Sequence, residues 1–204
     1  MSQQFSQAVL ERSDFAVIAR WIKPKTKVLD LGCGDGALLG YLRDTLQVSG
    51  YGIENDDSNV LACIKNGINV VQMNLEDGLS GFEAQSFDVV ILSQTLQAVY
   101  QTERIVQEML RVGKEVIVTF PNFAYWKHRL HILGGNMPVS DDLPHQWYNT
   151  PNVHMCTIHD FDDFCASHGI RISERLVMTN GSKVDWLPNV LGSLAMYRFE
   201  PSTR

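Results

Sequence analysis

The chain predicts a three-layer α/β sandwich built on a mainly parallel sheet. Three observations predict it. Short apolar runs alternate with segments of helical spacing, the pattern of repeated βαβ units whose strands are buried on both faces. The first of these runs, Lys27-Val28-Leu29-Asp30-Leu31, opens directly onto a glycine-rich turn. Across 204 residues the composition is 45% hydrophobic and 20% charged, close to the globular average, so the chain can build a core of its own.

The elements follow in order. Over residues 6–22, Val9, Leu10, Phe15, Ile18 and Trp21 make a loosely helical face, closed by Pro24. The first strand, Lys27 to Leu31, runs into Gly32-Cys33-Gly34-Asp35-Gly36, and helical spacing resumes from Ala37 to Leu46. A second strand covers Val48 to Ile53 and ends at Glu54. Asp56, Asp57 and Ser58 are helix-start residues, and Gly67 is a helix stop. Ile68 to Met73 is a third strand and Phe87 to Leu92 a fourth. Thr102 can cap a helix carrying Ile105, Val106, Met109 and Leu110 on one face, ended by Gly113. Val116 to Phe120 is the fifth strand. Past Pro121 the texture changes: residues 121–160 are rich in aromatics, His and Pro, with Gly134-Gly135 in the middle. Phe161 to His168 reads as a helix stopped by Gly169. Arg171 to Met178 and Ser193 to Phe199 add a terminal strand pair, joined by a loop holding Asn180-Gly181 and Leu187-Pro188, which makes seven strands. The expectation is a single domain, 1–204, with 121–160 as a lid or partner-facing segment.

Charge and composition exclude several classes. Lys and Arg number 17 against 23 Asp and Glu, a net charge of −6, whereas a duplex-binding surface needs clustered positive charge. No apolar run approaches the roughly 18 residues of a membrane helix. Met1-Ser2-Gln3-Gln4-Phe5 has no basic region followed by an apolar core, so no secretory signal is expected. Cys33, Cys63, Cys156 and Cys165 are scattered and read as reduced thiols, which points to the cytoplasm.

In doubly wound sheets the ligand sits outside the carboxyl ends of the strands, at the switch point. That directs attention to Asp30–Gly36, Glu54, Asn74–Glu76, Ser93 and Pro121-Asn122, each following a strand. The glycine turn has two readings. Gly32, Gly34 and Ala37 fit the dinucleotide pattern G-x-G-x-x-G/A; Gly32, Gly34 and Gly36 fit the G-x-G-x-G of S-adenosylmethionine (SAM) enzymes. Charge discriminates between them. Asp30 sits just before the first glycine and Asp35 within the turn, and a carboxylate about 4 Å from a pyrophosphate is repelled by several kcal/mol at an effective dielectric near 20. SAM carries no phosphate, and its sulfonium and α-ammonium are cationic. SAM, or S-adenosylhomocysteine (SAH), is the expected ligand, with Asp30, Gly32, Cys33, Gly34, Asp35 and Gly36 as its cradle. Glu54, with Asn55 beside it, can accept hydrogen bonds from both ribose hydroxyls or be a solvated strand-end acid. Asn74 and Leu75 can meet an adenine edge and face or form a polar turn. Ser93 completes the candidate cofactor set. No metal site is expected, since His154, Cys156 and His159 match no common zinc spacing.

Val28-Leu29-Asp30-Leu31-Gly32-Cys33-Gly34-Asp35-Gly36, the strand ending in Glu54 and Phe87-Asp88-Val89-Val90 resemble the class I SAM-dependent methyltransferases, which implies a Rossmann-like fold. A narrower resemblance rests on Ser93-Gln94-Thr95-Leu96-Gln97, Thr119-Phe120-Pro121-Asn122-Phe123-Ala124-Tyr125-Trp126, Leu143-Pro144, Trp147-Tyr148, Thr150-Pro151-Asn152-Val153-His154 and Asp160-Phe161. These are similar to the MetW family of methionine-biosynthesis proteins. The resemblance implies a role beside a MetX-type homoserine O-acyltransferase. SAM or SAH bound at the glycine turn would then bias the conformation of 121–160.

The alternative is a methyltransferase acting on a small metabolite. Against it, the residues after strand four offer no general base: the Asn/Asp-Pro-Pro-Tyr of N-methyltransferases is replaced by Ser93-Gln94-Thr95-Leu96, and Gln97 and Ala98 stand where a His often follows. The catalytic residues therefore stay unassigned. Substrate or partner contacts are expected at Asn122, Trp126, Trp147, Tyr148 and His154, with His145, Trp147, Tyr148, His154 and His159 as candidate walls of a second pocket. Phe123, Trp126, Leu130 and Leu133 form one helical stripe, either packed on the protein's own core or presented to a partner.

Overall fold

The computed structural model describes residues 12–201. Its elements are α1 (Ser13–Trp21), β1 (Lys27–Leu31), α2 (Ala37–Leu46), β2 (Ser49–Glu54), α3 (Asp57–Lys65), β3 (Val70–Gln72), β4 (Phe87–Ser93), α4 (Thr102–Val112), β5 (Gly113–Pro121), α5 (Trp126–Leu133), α6 (Ile158–Ser167), β6 (Ile170–Thr179), β7 (Ser182–Lys183), the one-turn α7 (Pro188–Leu191) and β8 (Leu194–Pro201). Single 3₁₀ turns lie at Leu75–Asp77 and Leu96–Ala98. Val9 and Leu10 of the expected first helix lie outside the described residues.

The strands form one mixed sheet in the order β3-β2-β1-β4-β5-β8-β6-β7. β1 pairs in parallel with both β2 and β4, with Asp30 opposite Gly52 on one side and Ile91 on the other. The winding reverses at this central strand. Right-handed crossovers to β2 and to β5 therefore put their helices on opposite faces of the sheet. The expected fold class stands, with one strand more than the seven expected. The extra strand is β7, which turns back from β6 through Asn180-Gly181; φ is positive at both residues (50° and 75°), the requirement of a two-residue hairpin turn.

The residues fall into two compact units. The first contains β1 to β4, their helices, α4 and the first half of β5, Gly113 to Ile117; the second contains residues 94–100 and everything from Val118 on. In the first, the core is a run of fully buried strand residues, Val28, Leu29 and Leu31 on β1 and Val90, Ile91 and Leu92 on β4, as a sheet covered on both faces demands. In the second it is an aromatic cluster. Phe161 lies 5.0 Å from Phe120 and 4.7 Å from Tyr197 between ring centroids, and the Tyr197 hydroxyl donates to Asp162 at 2.9 Å. Burying an aromatic without orphaning its hydroxyl needs such a partner.

Several boundaries differ from the expectation. Thr102 is the first residue of α4, not its cap, and Gln101 precedes it without a side-chain cap bond. Asp56 does cap α3, accepting from Ser58 and Asn59. The stripe on α5 is not packed inward. Leu130 is 55% and Leu133 82% exposed, and the residue α5 buries is His128. The His128 ring nitrogens lie 3.2 Å from the Asn122 carbonyl and 3.0 Å from Ser140 Oγ, and burial holds its pKa below the usual imidazole value. No described helix is long and apolar enough to cross a membrane.

Candidate functional site

The first unit holds a crevice of about 270 Å³ at the carboxyl ends of β1 and β4, lined by Asp30, Gly32, Cys33, Gly34, Asp35 and Ser93 of the expected set. The wall is completed by Arg12, Phe15, Ala37 and Leu38. Gly34 has φ of +55°, and a Cβ built there meets nothing within 4 Å. The backbone therefore borders open space in a conformation few L-residues adopt. Opposite the turn, Gly52 has to be glycine for packing, because a Cβ would collide with Cys33 Sγ.

Five of the turn's N–H groups are already committed. Gly32 and Cys33 donate to the Ile53 carbonyl at 2.8 and 3.1 Å, Gly36 to the Cys33 carbonyl at 3.0 Å, and Ala37 to Asp35 Oδ1 at 3.0 Å. Gly34 donates to Glu54 Oε2 at 2.9 Å. A pyrophosphate at a glycine turn is bound by free N–H groups at the helix N-terminus; here five of them point into the protein. Glu54 is the clamp of the turn. Its Oε1 also accepts from Asn55 and Asp56, at 2.8 and 3.0 Å. Three backbone donors leave roughly one of a carboxylate's four lone-pair directions open, enough for one hydroxyl rather than two.

Charge in the crevice is arranged around Asp30. Its side chain is 2% exposed, and Oδ1 has no hydrogen-bond partner among the described residues. Burial raises its pKa to about 7; Arg12 pulls it down, while Glu54 and Asp14 push it up. Arg12 grips buried Asp14 through two bonds, of 3.0 and 2.7 Å, and donates to Ser93 Oγ at 3.0 Å. One buried carboxylate thus holds Arg12 by hydrogen bonds, and the other faces the crevice with one oxygen unbonded. Beneath the turn, Cys33 and Cys63 lie 3.8 Å apart, and burial raises the pKa of both thiols.

The remaining expected cofactor residues do not line the crevice, Glu54 included: it stands behind the turn, bonded to Gly34. Gly36 packs on Ile68 and Cys63. Asn74 is exposed and caps its short turn by accepting from Glu76 at 3.0 Å, Leu75 is half-buried beside it, and Asn55 is exposed. Sequence reasoning missed Arg12, and nothing in its local pattern marks it. Phe15 was visible only as part of a helical stripe.

The second unit has its own pocket, a narrower cavity of about 60 Å³ with mostly apolar walls. Of the residues expected in a second pocket, His145, Trp147 and His154 line it; His159 and Tyr148 do not. His154 Nε2 lies 3.1 Å from the Tyr100 carbonyl, and Tyr148 sits edge-on against Trp147. Trp126 is exposed on α5, outside the pocket. Asn122 is fully buried. Its Nδ2 donates to the Asn189 and Gly192 carbonyls at 3.1 and 2.8 Å, and its Oδ1 accepts from Ala124 at 3.1 Å. With every amide position bar one spent on backbone, Asn122 pins the chain rather than meeting a ligand. No cluster of three or more potential metal ligands occurs among the described residues.

Comparison with known proteins gives the context. The family model for "Methionine biosynthesis protein MetW" matches residues 12–199. A curated relative from Rhodopirellula baltica, the bifunctional methionine biosynthesis protein MetXA/MetW, is 36% identical over 193 residues, covering 88% of this chain and 31% of that protein. The chain therefore spans about a third of the length of that relative. Among solved structures, a SAM-dependent methyltransferase from Thermotoga maritima matches with a TM-score of 0.65 at 16% identity, covering 98% and 95% of the two chains. Magnesium protoporphyrin IX methyltransferase from Synechocystis PCC 6803, with bound SAH, matches with a TM-score of 0.67 at 14% identity, covering 99% and 88%. At these identities the likeness is one of fold, that of the class I SAM-dependent methyltransferases.

Proposed function

Because the chain belongs to the MetW family of methionine-biosynthesis proteins, we propose that it binds SAM in the crevice of its first unit and supports a MetX-type homoserine O-acyltransferase. The observation that carries the ligand half is Asp30: a buried carboxylate oxygen without a hydrogen-bond partner among the described residues, in a crevice where five N–H groups of the turn are already bonded. A phosphate would face Asp30 and Asp35 across a turn with five of its N–H groups already bonded, whereas a cationic group supplies what Asp30 lacks. The partner half is supported by the Rhodopirellula relative, whose name joins MetXA to MetW in one chain.

The residues fit an adenosyl amino acid. Asp30 would hold its cationic end and Arg12 its carboxylate. Gly34 would give the backbone room to approach, and the open acceptor position of Glu54 would take one ribose hydroxyl. SAM, when bound, supplies a sulfonium and an electrophilic methyl. SAH keeps the ammonium and the carboxylate, so it fits the same residues. Ligand entry gives Asp30 a countercharge and lowers its proton affinity, so a proton leaves as the cation arrives. SAM is made from methionine. A crevice that senses it would report on the pathway's product, provided the ligand changes affinity for the acyltransferase.

The experiment is a calorimetric titration of the chain with SAM, SAH and NAD, followed by acyltransferase assays with and without the chain and SAM. Binding of SAM and SAH but not NAD, with homoserine O-acylation rising when the chain is added, is expected. Tight NAD binding defeats the ligand half. Acyltransferase rates indifferent to the chain at saturating concentrations defeat the partner half. Methylated product from labelled SAM and cell metabolites would turn the reading to a methyltransferase.

A further inference from the structure

The pocket of the second unit has three properties that belong together. Its volume of about 60 Å³ compares with the ~150 Å³ of a dry cavity that accepts the six carbons of benzene, so it holds a group of about two or three heavy atoms. Gln97 is one of its walls, and Gln97 Oε1 is sealed from solvent with no hydrogen-bond partner among the described residues, while Nε2 donates to the Gln94 carbonyl at 2.7 Å. Three further walls are large apolar side chains that stand out into solvent: Trp147 at 72% exposed, Met155 at 61% and Met137 at 44%.

A free metabolite of two or three heavy atoms gains little binding from such a cavity, because its few contacts must offset the full cost of association. It would also leave the exposed Trp and Met side chains uncovered. The same few atoms carried on a protein surface behave differently. Association is paid once for the whole interface, the rim is covered, and a buried apolar anchor becomes a hot spot. We propose that this pocket is the anchor site for one small aliphatic side chain, of Val size, presented by the acyltransferase, whose adjacent backbone N–H donates to Gln97 Oε1. The proposal rests on the acyltransferase reading above and gives it a location on this chain. Gln97 Oε1 is covered in the empty pocket, so the donor reaches it as the lining side chains part. The orphaned acceptor thereby becomes satisfied only in the complex, and the pocket prefers a peptide N–H beside an apolar side chain to an apolar group alone.

The test is a binding titration of the full chain against the purified acyltransferase, with two pocket variants and one control. Thr150→Phe fills the cavity from its wall, Gln97→Met removes the acceptor at similar volume, and Leu130→Ser alters an exposed apolar residue of α5 outside the pocket. Both pocket variants are expected to weaken acyltransferase binding at least tenfold, while SAM affinity and the thermal midpoint stay unchanged and Leu130→Ser binds normally. Unaltered acyltransferase affinity in Gln97→Met and Thr150→Phe overturns the anchor and leaves the function standing. Loss confined to Leu130→Ser moves the interface to α5 and overturns it too. If the unsubstituted chain does not bind the acyltransferase, the functional reading falls and the anchor with it. Self-association of the chain that the pocket variants abolish assigns the cavity to a second copy instead.

Discussion

The crevice of the first unit and the pocket of the second select by opposite physics. The crevice is lined by backbone and by charge: Gly32 and Gly34 on a turn whose N–H groups are tied down, with buried Asp30 near Arg12. The pocket is lined by Phe123, Leu143, Trp147 and other apolar side chains, some of them half in water. A charge-lined site stores unfavourable free energy in its empty state, because a desolvated carboxylate without a countercharge is costly. An apolar site stores little and gains by covering surface. The two should therefore respond differently to substitution. Removing the crevice's charged group should cost binding and no stability, and removing a pocket rim residue should cost very little of either in the isolated chain.

The largest effect should come from neither site. Asn122→Ala removes the partner of two buried carbonyls and one buried N–H at once. A loss of about 3 kcal/mol in urea unfolding is expected, at unchanged SAM affinity. Should SAM affinity or acyltransferase binding collapse while stability holds, Asn122 faces a ligand after all.

Next in size is Asp30→Asn, which keeps the shape and removes the charge. SAM affinity should fall by about 2 kcal/mol, roughly thirtyfold, by calorimetry. Stability should stay level or rise, because a buried ionised group is gone. Glu54→Gln provides the contrast. It weakens an acceptor of three backbone N–H bonds, so both affinity and stability should drop. Equal stability losses in the two variants would erase the distinction between ligand-facing and turn-clamping carboxylates.

The pH dependence follows from the same group. The Asp30 pKa is raised from 3.8 to about 7, so the folded state holds a proton that the unfolded state releases. Its contribution to stability is fully present below about pH 4 and is lost as pH rises through about 7. Binding of a cation runs the other way. It requires the carboxylate, so SAM affinity should fall by about tenfold per pH unit below 7 and level off above it. The difference in urea midpoint between the natural chain and Asp30→Asn, measured at pH 5 and at pH 8, isolates this group. A pH-independent SAM dissociation constant between 5.5 and 8 removes Asp30 from the site.

How much of this was legible in the sequence depends on how local the cause is. β1 and its glycine turn were plain because a continuous apolar run and the glycines act over neighbouring residues. The two carboxylates of the charge argument were equally local, Asp30 near the end of β1 and Asp35 in the turn, and both line the crevice. The Asn122 role was invisible because its partners, Asn189 and Gly192, are about 70 residues away and are backbone carbonyls, which no side-chain pattern advertises. The α5 stripe shows the limit of periodicity. Phe123, Trp126, Leu130 and Leu133 have helical spacing, yet spacing tells which residues share a face and not whether anything covers it. Arg12 was missed for the same reason: its importance lies in Asp14, Ser93 and Asp30 converging on it in space.

The smallest predicted effect tests the apolar half of the contrast. Trp147 is 72% exposed, so truncating it exposes little new surface and vacates little packing. Trp147→Ser should change stability by less than about 0.5 kcal/mol, the usual range for surface positions, and SAM affinity not at all. A large aromatic side chain kept in water at no benefit to the fold is costly to solubility, which makes its neutrality in the isolated chain informative. The same substitution should become visible only in the presence of the acyltransferase, because only there is the ring covered. A stability loss of 2 kcal/mol or more would mean that Trp147 is part of the fold's own packing, and the pocket rim would then be core rather than contact surface.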